Sequence, residues 1–126
     1  MINWLLDTNT LIWFFEGSSR LNPILHLFSI KGTKIYISVV SWWEIAVKER
    51  KGKLSFTGSQ LESFVNMYDF QELPVTREQL KAYRELPHIH NDPFDHMLLA
   101  QAITCPMRLI TGDAILADYS SLVMVI

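Results

Sequence analysis

The sequence predicts an α/β fold in which a mostly parallel sheet of four to five strands lies between layers of helices. Short apolar runs rich in β-branched residues alternate with segments whose apolar residues recur at helical spacing. Helix-start signals follow these runs almost directly, as in right-handed βαβ units. The chain has 126 residues, of which 49% are hydrophobic. We therefore expect one compact domain spanning 1–126 with a sizeable core.

Five apolar runs are expected to form the strands. The first is short and ends directly before Asp7, and the second follows a turn at Gly32. The third is closed by Pro74, which cannot continue a ladder of hydrogen bonds. The predicted strands are 3–6, 34–38, 70–75, 108–111 and 122–126.

The predicted helices begin at capping signals. Asp7 caps the first helix, and Pro23 stands at the favoured first position of the second. Ser41 and Glu44 have the spacing of a capping box, which predicts the start of the third helix. The predicted helices are one from Asp7 to the break at Gly17, then 22–30, 41–51, 59–68, 76–86 and 94–103, with a short one after Asp113.

Four carboxylates lie near points where an apolar run or a loop gives way to a helix-start signal. If the apolar runs are parallel strands, these acids end near one edge of the sheet, where open α/β folds bind their ligands. Carboxylates that are brought together repel one another unless a cation lies among them. An all-oxygen set suits Mg²⁺ or Mn²⁺ better than zinc, and such a site suits hydrolysis of a phosphate ester. We call these residues the acidic tetrad: Asp7, Glu44, Asp95 and Asp113.

Each member of the tetrad also has a structural interpretation. Asp7 is favoured as a helix cap, and Glu44 could simply close its capping box. Asp95 would stabilise the first turn of its helix, and Asp113 in Thr-Gly-Asp could be a turn residue. Taken singly, each acid favours the structural role, whereas the set favours a shared function. Asp92 is expected to cap the helix that carries Asp95 and to lie outside the ligand set.

The charge distribution has one local exception. The net charge is −2 and the isoelectric point is near 6.0, so the globally basic character of many nucleic-acid binders is absent. Four cations nevertheless fall within residues 48–53, before and after Gly52. One interpretation is a solvated helix C-terminus, and the other is a patch that holds phosphates beside the acids; both can hold at once. These candidate RNA contacts are Lys48, Arg50, Lys51 and Lys53.

Cysteine use and hydropathy indicate a cytoplasmic protein without membrane contact. The single cysteine, Cys105, cannot form an internal disulfide, which fits a reducing compartment. The longest apolar stretches are far shorter than the roughly 20 residues that span a bilayer. The first residues carry no basic region of the kind found in signal peptides.

Four segments of the chain, each with one tetrad acid, stand in the order of a known family. They are LLDTNTLIW at 5–13, SVVSWWEIAVK at 38–48 continuing to GKL at 52–54, DPFDHMLLAQA at 92–102, and LITGD at 109–113. This pattern resembles the PIN-domain nucleases, and more closely the VapC-like toxins of prokaryotic type II toxin–antitoxin pairs. The segments span nearly the whole chain.

The resemblance implies a three-layer α/β/α PIN-like fold and a divalent-metal-dependent endoribonuclease. It assigns the acidic tetrad to the catalytic and metal-binding site, with Mg²⁺ or Mn²⁺ as the ion. It further implies an RNA substrate, a cognate antitoxin that covers the site, and a homodimer. Thr8 and Asn9 match small polar residues beside the first acid and, with Thr111, are expected to orient the acids or a water at the metal.

Two features of this chain qualify the resemblance. Relatives often carry arginine at the positions of Asn91 and His96, so His96 is a candidate phosphate contact, with a loop or packing role as the alternative. Trp13 and Trp43 are candidates for an apolar surface that receives a protein partner. Because Trp42 and Trp43 are adjacent, they cannot share one helix face, and one of them is expected at the surface.

The main alternative is a catalytically silent interaction module of the same fold. The retention of four like charges argues against it, because each charge costs stability without a metal. A phosphatase of the haloacid dehalogenase type needs a second acid two residues after Asp7, where Asn9 stands. A response-regulator receiver needs a lysine near the last strands, and that pattern is also missing.

Overall fold

The structure, a computed structural model that describes residues 2–88 and 91–126, is built on one parallel sheet. Its strands are β1 (Asn3–Leu6), β2 (Lys34–Ser38), β3 (Gln71–Leu73), β4 (Arg108–Thr111) and β5 (Val123–Val125). Their order is β3-β2-β1-β4-β5, and every neighbouring pair is parallel. The chain moves outward from β1 through β2 to β3 and then returns to the other side of β1. The direction of winding therefore reverses between β1 and β4.

The helices are α1 (Thr8–Glu16), α2 (Val39–Arg50), α3 (Gly58–Val65), α4 (Arg77–Glu85) and α5 (Pro93–Thr104), with 3₁₀ segments at Ser19–Ser29 and Ala114–Asp118. Within the described ranges, none of the helices combines the length and the apolar character needed to cross a membrane. The predicted capping signal before α4 is confirmed, because Thr76 and Gln79 form a reciprocal capping box.

Alternate residues of each strand pack on opposite faces of the sheet. On one face Leu5 and Leu109 contact the apolar side of α5. On the other face Leu6 and Ile110 pack against the first 3₁₀ segment, and α1 and α3 share a further core on Ile37. Because side chains alternate along a strand, a sheet with both faces covered needs apolar residues at successive positions. The predicted three-layer α/β/α fold is confirmed.

The start of α2 differs from the prediction. The cap is Ser38, whose Oγ accepts a hydrogen bond from the Val40 backbone N–H at 3.0 Å. Ser41 and Glu44 consequently lie inside the helix, and the predicted capping box between them is wrong. Ser38 ends β2 and caps α2 at once, so the helix begins without an intervening loop. This early start turns Glu44 from a cap residue into a residue of the second helical turn.

Two other predicted elements differ because of proline. The stretch predicted as a helix over 22–30 is a 3₁₀ segment that begins at Ser19, so Pro23 lies inside it and not at its first position. A proline lacks the N–H that an α-helical ladder requires, whereas 3₁₀ turns tolerate the interruption. The third strand is also shorter than predicted, because Pro74 ends its ladder at Leu73.

Candidate metal centre

Two acids of the tetrad lie at the point where the winding of the sheet reverses. Asp7 directly follows β1, and its backbone N–H donates to the carbonyl of Ile110 on β4 at 3.1 Å. Asp113 follows β4 after Gly112 and caps the second 3₁₀ segment. Carboxyl ends of adjacent parallel strands share one edge, and ligands of open α/β sheets bind where the winding reverses.

The other two acids reach the same edge from helices. Glu44 lies in the second turn of α2 and is 8% exposed, and Asp95 lies in the first turn of α5 and is partly exposed. The charges of Asp7, Glu44 and Asp113 all act on Asp95. The structure therefore brings the whole acidic tetrad together, although its members come from positions more than 100 residues apart in the chain.

Burial and mutual repulsion alter the protonation of the tetrad. Burial raises the pKa of Asp95 from 3.8 to about 8, and the charge of Asp92 followed by those of the other tetrad acids adds to the rise. Burial also raises the pKa of Asp7, against the opposing effect of hydrogen bonds from Thr10 and Thr111. A cation among these groups would favour their charged forms.

Glu44 has one carboxylate oxygen that is already paired and one that is not. Its Oε2 lies 3.2 Å from Nζ of Lys48, one helical turn further along α2. Its Oε1 is buried and has no hydrogen-bond partner among the described residues. A buried oxygen without a partner is costly, and native structures rarely retain one without a reason. A hard cation is the kind of ligand that this oxygen would accept.

The donor set fits a magnesium or manganese ion in chemistry, and its present spacing is wider than ligation requires. All four tetrad groups are carboxylates, and Asp7 and Glu44 are almost fully buried. Across residues 2–88 and 91–126, no three acidic, histidine or cysteine side chains are close enough to hold one ion as they stand. Side-chain rotation of the repelling acids would be needed to close on an ion.

Threonines hold the first and last acids of the tetrad. The backbone N–H of Thr10 donates to Oδ1 of Asp7 at 2.8 Å, as expected for a helix cap. Thr111 hydrogen-bonds Asp7, and its Oγ1 also accepts from the backbone N–H of Asp113 at 3.0 Å. Sequence reasoning identified Thr111 but missed Thr10, which the Asp7 capping signal could have indicated, because a cap side chain pairs with the third residue of its helix.

The two polar residues predicted beside Asp7 lie apart from each other. Thr8 is 2% exposed, and its Oγ1 donates to Oγ of Ser41 at 3.1 Å. That bond connects α1 to α2 one turn before Glu44, so Thr8 supports the helix that carries the second acid. Asn9 is exposed at the start of α1.

Asp92 caps α5, as the sequence predicts. Its Oδ1 accepts hydrogen bonds from the backbone N–H groups of Phe94 at 2.9 Å and Asp95 at 3.2 Å. The cap fixes the first turn of α5 and thereby the position of Asp95. Its charge also contributes to the raised pKa of Asp95.

A cleft of about 650 Å³ opens onto the tetrad, and we call it the cleft below. Its lining includes three acids and three lysines: Glu44, Asp95, Asp113, Lys48, Lys51 and Lys53. Arg50, the fourth predicted cation, is exposed outside this lining. The helix-end interpretation is also confirmed, because α2 ends at Arg50 and Gly52 takes the left-handed conformation with φ of 67°. Both interpretations of the basic segment therefore apply to different members of it.

His96 is buried behind the cleft. It is 7% exposed, and its Nε2 lies 3.1 Å from the hydroxyl of Tyr119. Tyr119 directly follows the 3₁₀ segment that Asp113 caps, so this bond joins α5 to the chain beyond the last acid. The placement favours the packing alternative over contact between His96 and RNA phosphates.

The two tryptophans predicted to contact a partner have different environments. Trp13 is half-buried, with the guanidinium of Arg20 3.9 Å above its ring. A Cβ atom on Gly112 would overlap the Trp13 ring, so this indole packs closely against the turn that leads to Asp113. Trp43 is 61% exposed, whereas Trp42 packs into the core with α3, in agreement with the expectation that one of the adjacent pair is at the surface.

A buried amide network supports the two helices of the site and was not predicted. Oγ of Ser38 donates to Oε1 of Gln101 at 2.6 Å, and Nε2 of Gln101 donates to Oε1 of Gln79 at 3.1 Å. Ser38 begins α2, and Gln101 lies on α5. The network therefore fixes the helix of Glu44 relative to that of Asp95.

The fold and the site define a class of protein: a three-layer α/β/α domain with an acidic centre at the reversal point of its sheet. The PIN domain family model matches residues 4–122, so the chain belongs to the PIN domain family. PIN domains are generally nucleases. No curated protein matches the sequence at a significant level.

Solved structures with similar folds include toxin–antitoxin proteins. The chain is similar to a structure of VapBC2 from Rickettsia felis bound to a DNA fragment from its promoter, with a TM-score of 0.75 and 18% identity over 97% of this chain and 96% of that one. It is also similar to VapBC-1 from nontypeable Haemophilus influenzae, with a TM-score of 0.68 and 16% identity over 99% and 97% of the two chains. FitAcB from Neisseria gonorrhoeae gives a TM-score of 0.62 at 17% identity, covering 96% of each chain. At these identities the similarity shows the shared fold.

Proposed function

We propose that this protein is a divalent-metal-dependent endoribonuclease that acts as the toxin of a toxin–antitoxin pair. The observation that carries the proposal is the convergence of the acidic tetrad, whose mutual repulsion and burial raise the pKa of Asp95 to about 8. Such an arrangement is unfavourable without a cation and favourable with one. Membership of the PIN domain family supports nuclease chemistry for the same residues.

The proposed ion is Mg²⁺ or Mn²⁺, held by the acidic tetrad. When bound, such an ion polarises a phosphodiester and makes water a better nucleophile near neutral pH. The unpaired Oε1 of Glu44 and the buried carboxylate of Asp7 would act as ligands. Thr10 and Thr111 would keep Asp7 in position, since both hydrogen-bond it. The hydrolysis requires no nucleophile from the protein.

The proposed substrate is single-stranded or loop RNA bound in the cleft. Lys48, Lys51 and Lys53 line the cleft beside the acids and would hold backbone phosphates. Lys48 is already engaged by Glu44 at 3.2 Å, so a phosphate would compete with that carboxylate for the ammonium. Binding of an ion by Glu44 would release Lys48 toward the substrate.

The direct test is cleavage of RNA by the purified protein. We expect Mn²⁺ or Mg²⁺ to support cleavage, and we expect Asp7→Asn and Glu44→Gln to abolish it while the variants remain folded. Asp118→Asn is the matched control, because it removes an exposed carboxylate from the neighbouring 3₁₀ segment. Equal cleavage by Asp7→Asn, or cleavage in excess chelator, would contradict the proposal. In that case the silent interaction module would be the better description.

We also propose a cognate antitoxin and a homodimer as protein partners, in a cytoplasmic setting. The similar structures titled VapBC and FitAcB suggest this by analogy of fold. An apolar hollow of about 380 Å³ offers a surface for such contacts, and Val39, Val75 and Leu80 in its lining are each at least 38% exposed. Co-purification with the product of the neighbouring reading frame, and molar mass from light scattering, would test the two partners separately.

A further inference from the structure

Trp43 is an exposed aromatic residue directly before a tetrad acid. Its side chain is 61% exposed, while Trp4 is 3% exposed and Trp13 is covered by Arg20. Leaving an indole in water forgoes the burial that normally makes tryptophan stabilising. Because Trp43 precedes Glu44 on α2, the exposed ring is held by the same rigid helix as the acid.

Phe94 fixes the position of this indole at the mouth of the cleft. The two rings meet edge to face, with centroids 4.9 Å apart and planes at 73°. Phe94 lines the cleft and directly precedes Asp95, so the aromatic pair and two acids lie on the same two helical turns. An edge-to-face contact covers part of an aromatic surface and holds it in one orientation.

The lysines of the cleft complete a pattern suited to a single-stranded nucleic acid. Lys48 and Lys51 lie four and seven residues after Glu44, on the same face of α2, and both line the cleft. Proteins that bind single strands combine a basic groove for the backbone with an exposed aromatic ring on which a base stacks. Here both components lie on one helix, on either side of an acid of the centre.

We propose that Trp43, held by Phe94, is a nucleobase-stacking site that positions an unpaired base of the RNA while the lysines hold its phosphates. The proposal rests on the proposed function and adds a requirement on the substrate: a base next to the cleaved linkage must be unpaired and free to stack. Every base has a π face, so the site selects single-stranded structure more than base identity.

The test is an abasic scan combined with substitution of Trp43. Binding of a short fluorescein-labelled RNA is measured by anisotropy with Mg²⁺ in the Asp7→Asn background, so that the RNA stays intact. One abasic position is expected to weaken binding about five- to a hundredfold when Trp43 is present. The same position should have no effect in the Trp43→Ala protein, and Trp43→Phe should restore most of the discrimination.

Two controls separate stacking from charge and from general damage. Trp43→Ala should leave the dependence of affinity on salt unchanged, whereas Lys51→Ala should reduce its slope by about 0.7. Tyr68→Ala removes a partly exposed aromatic ring that lines a separate hollow, and it should leave the abasic pattern intact.

Three results would overturn the proposal. The first is an abasic profile that is the same with and without Trp43. The second is a change in molar mass on Trp43→Ala with unaltered RNA affinity, which would assign the ring to contact with a second copy of the chain. The third is loss of antitoxin capture alone, which would assign it to that partner. Cleavage by the wild-type protein is measured separately, so failure of the nuclease proposal is distinguishable from failure of the stacking proposal.

Discussion

Replacing Asp95 with asparagine should stabilise the metal-free protein, which is an unusual expectation for a buried residue of a conserved-looking fold element. The folded protein holds a proton on Asp95 up to about pH 8, whereas the unfolded chain releases it near the ordinary value of 3.8. The folded state therefore binds more protons between these values, and its stability falls as the pH rises through that window. Asparagine cannot ionise, so the Asp95→Asn variant escapes this loss.

The magnitude follows from the separation of the two pKa values. At pH 7 the full separation would be worth about 4 kcal/mol, and solvent access to this partly exposed carboxyl reduces the expected gain to about 2 kcal/mol. For a domain of this size, a gain of that order raises the melting temperature by roughly 6–10 °C. The gain should vanish near pH 4, because Asp95 is then protonated in both states.

The assay is thermal or urea unfolding in EDTA across pH 4 to 8, with Asp118→Asn as the control for loss of one exposed carboxylate. A second series adds Mn²⁺, which should stabilise the wild type and should have little effect on Asp95→Asn. The reasoning is refuted if Asp95→Asn is less stable than the wild type at pH 7 in EDTA, or if Mn²⁺ stabilises both proteins equally.

Three further predictions follow from contacts around the centre. Gly112→Ala should lose about 1–3 kcal/mol of stability and most RNA cleavage, because the new methyl group overlaps Trp13 beside the turn to Asp113; unfolding curves that match the wild type would contradict this. Lys51→Ala should weaken RNA binding several-fold at low salt, and Arg50→Ala, outside the cleft lining, should have a smaller effect; equal losses measured by anisotropy would remove the distinction. Thr10→Val should cost about 1 kcal/mol in urea unfolding, since Oγ1 of Thr10 donates to the buried carbonyl of Ile110 at 3.1 Å; no change in stability would count against a supporting role.

The fold could be predicted because its signals are local. Apolar runs, the caps at Asp7, Thr76 and Asp92, and the stop at Gly52 each depend on residues within one turn of each other. Where two caps competed, sequence reasoning failed: Ser38 and Ser41 both stand before apolar residues, and only the end of β2 decides that Ser38 begins the helix. The strand's length was therefore the missing information.

The acids of the centre could be predicted, but the contacts that hold them could not. Parallel strands send their carboxyl ends to one edge, so the positions of Asp7 and Asp113 follow from topology. The bond between His96 and Tyr119 and the network through Gln101 join residues that are far apart in sequence and carry no local signal. The exposed state of Trp43, and not of Trp42, likewise depends on how α2 is rotated against the sheet.

The most direct measurement of the central claim is the location of Mn²⁺ in crystals of the protein by anomalous diffraction. We expect an ion at the carboxyl edge of β1 and β4, with oxygens of the acidic tetrad about 2–2.5 Å from it and Oε1 of Glu44 among them. Full occupancy of manganese elsewhere, with the four carboxylates still apart, would contradict the claim that these acids form one metal centre.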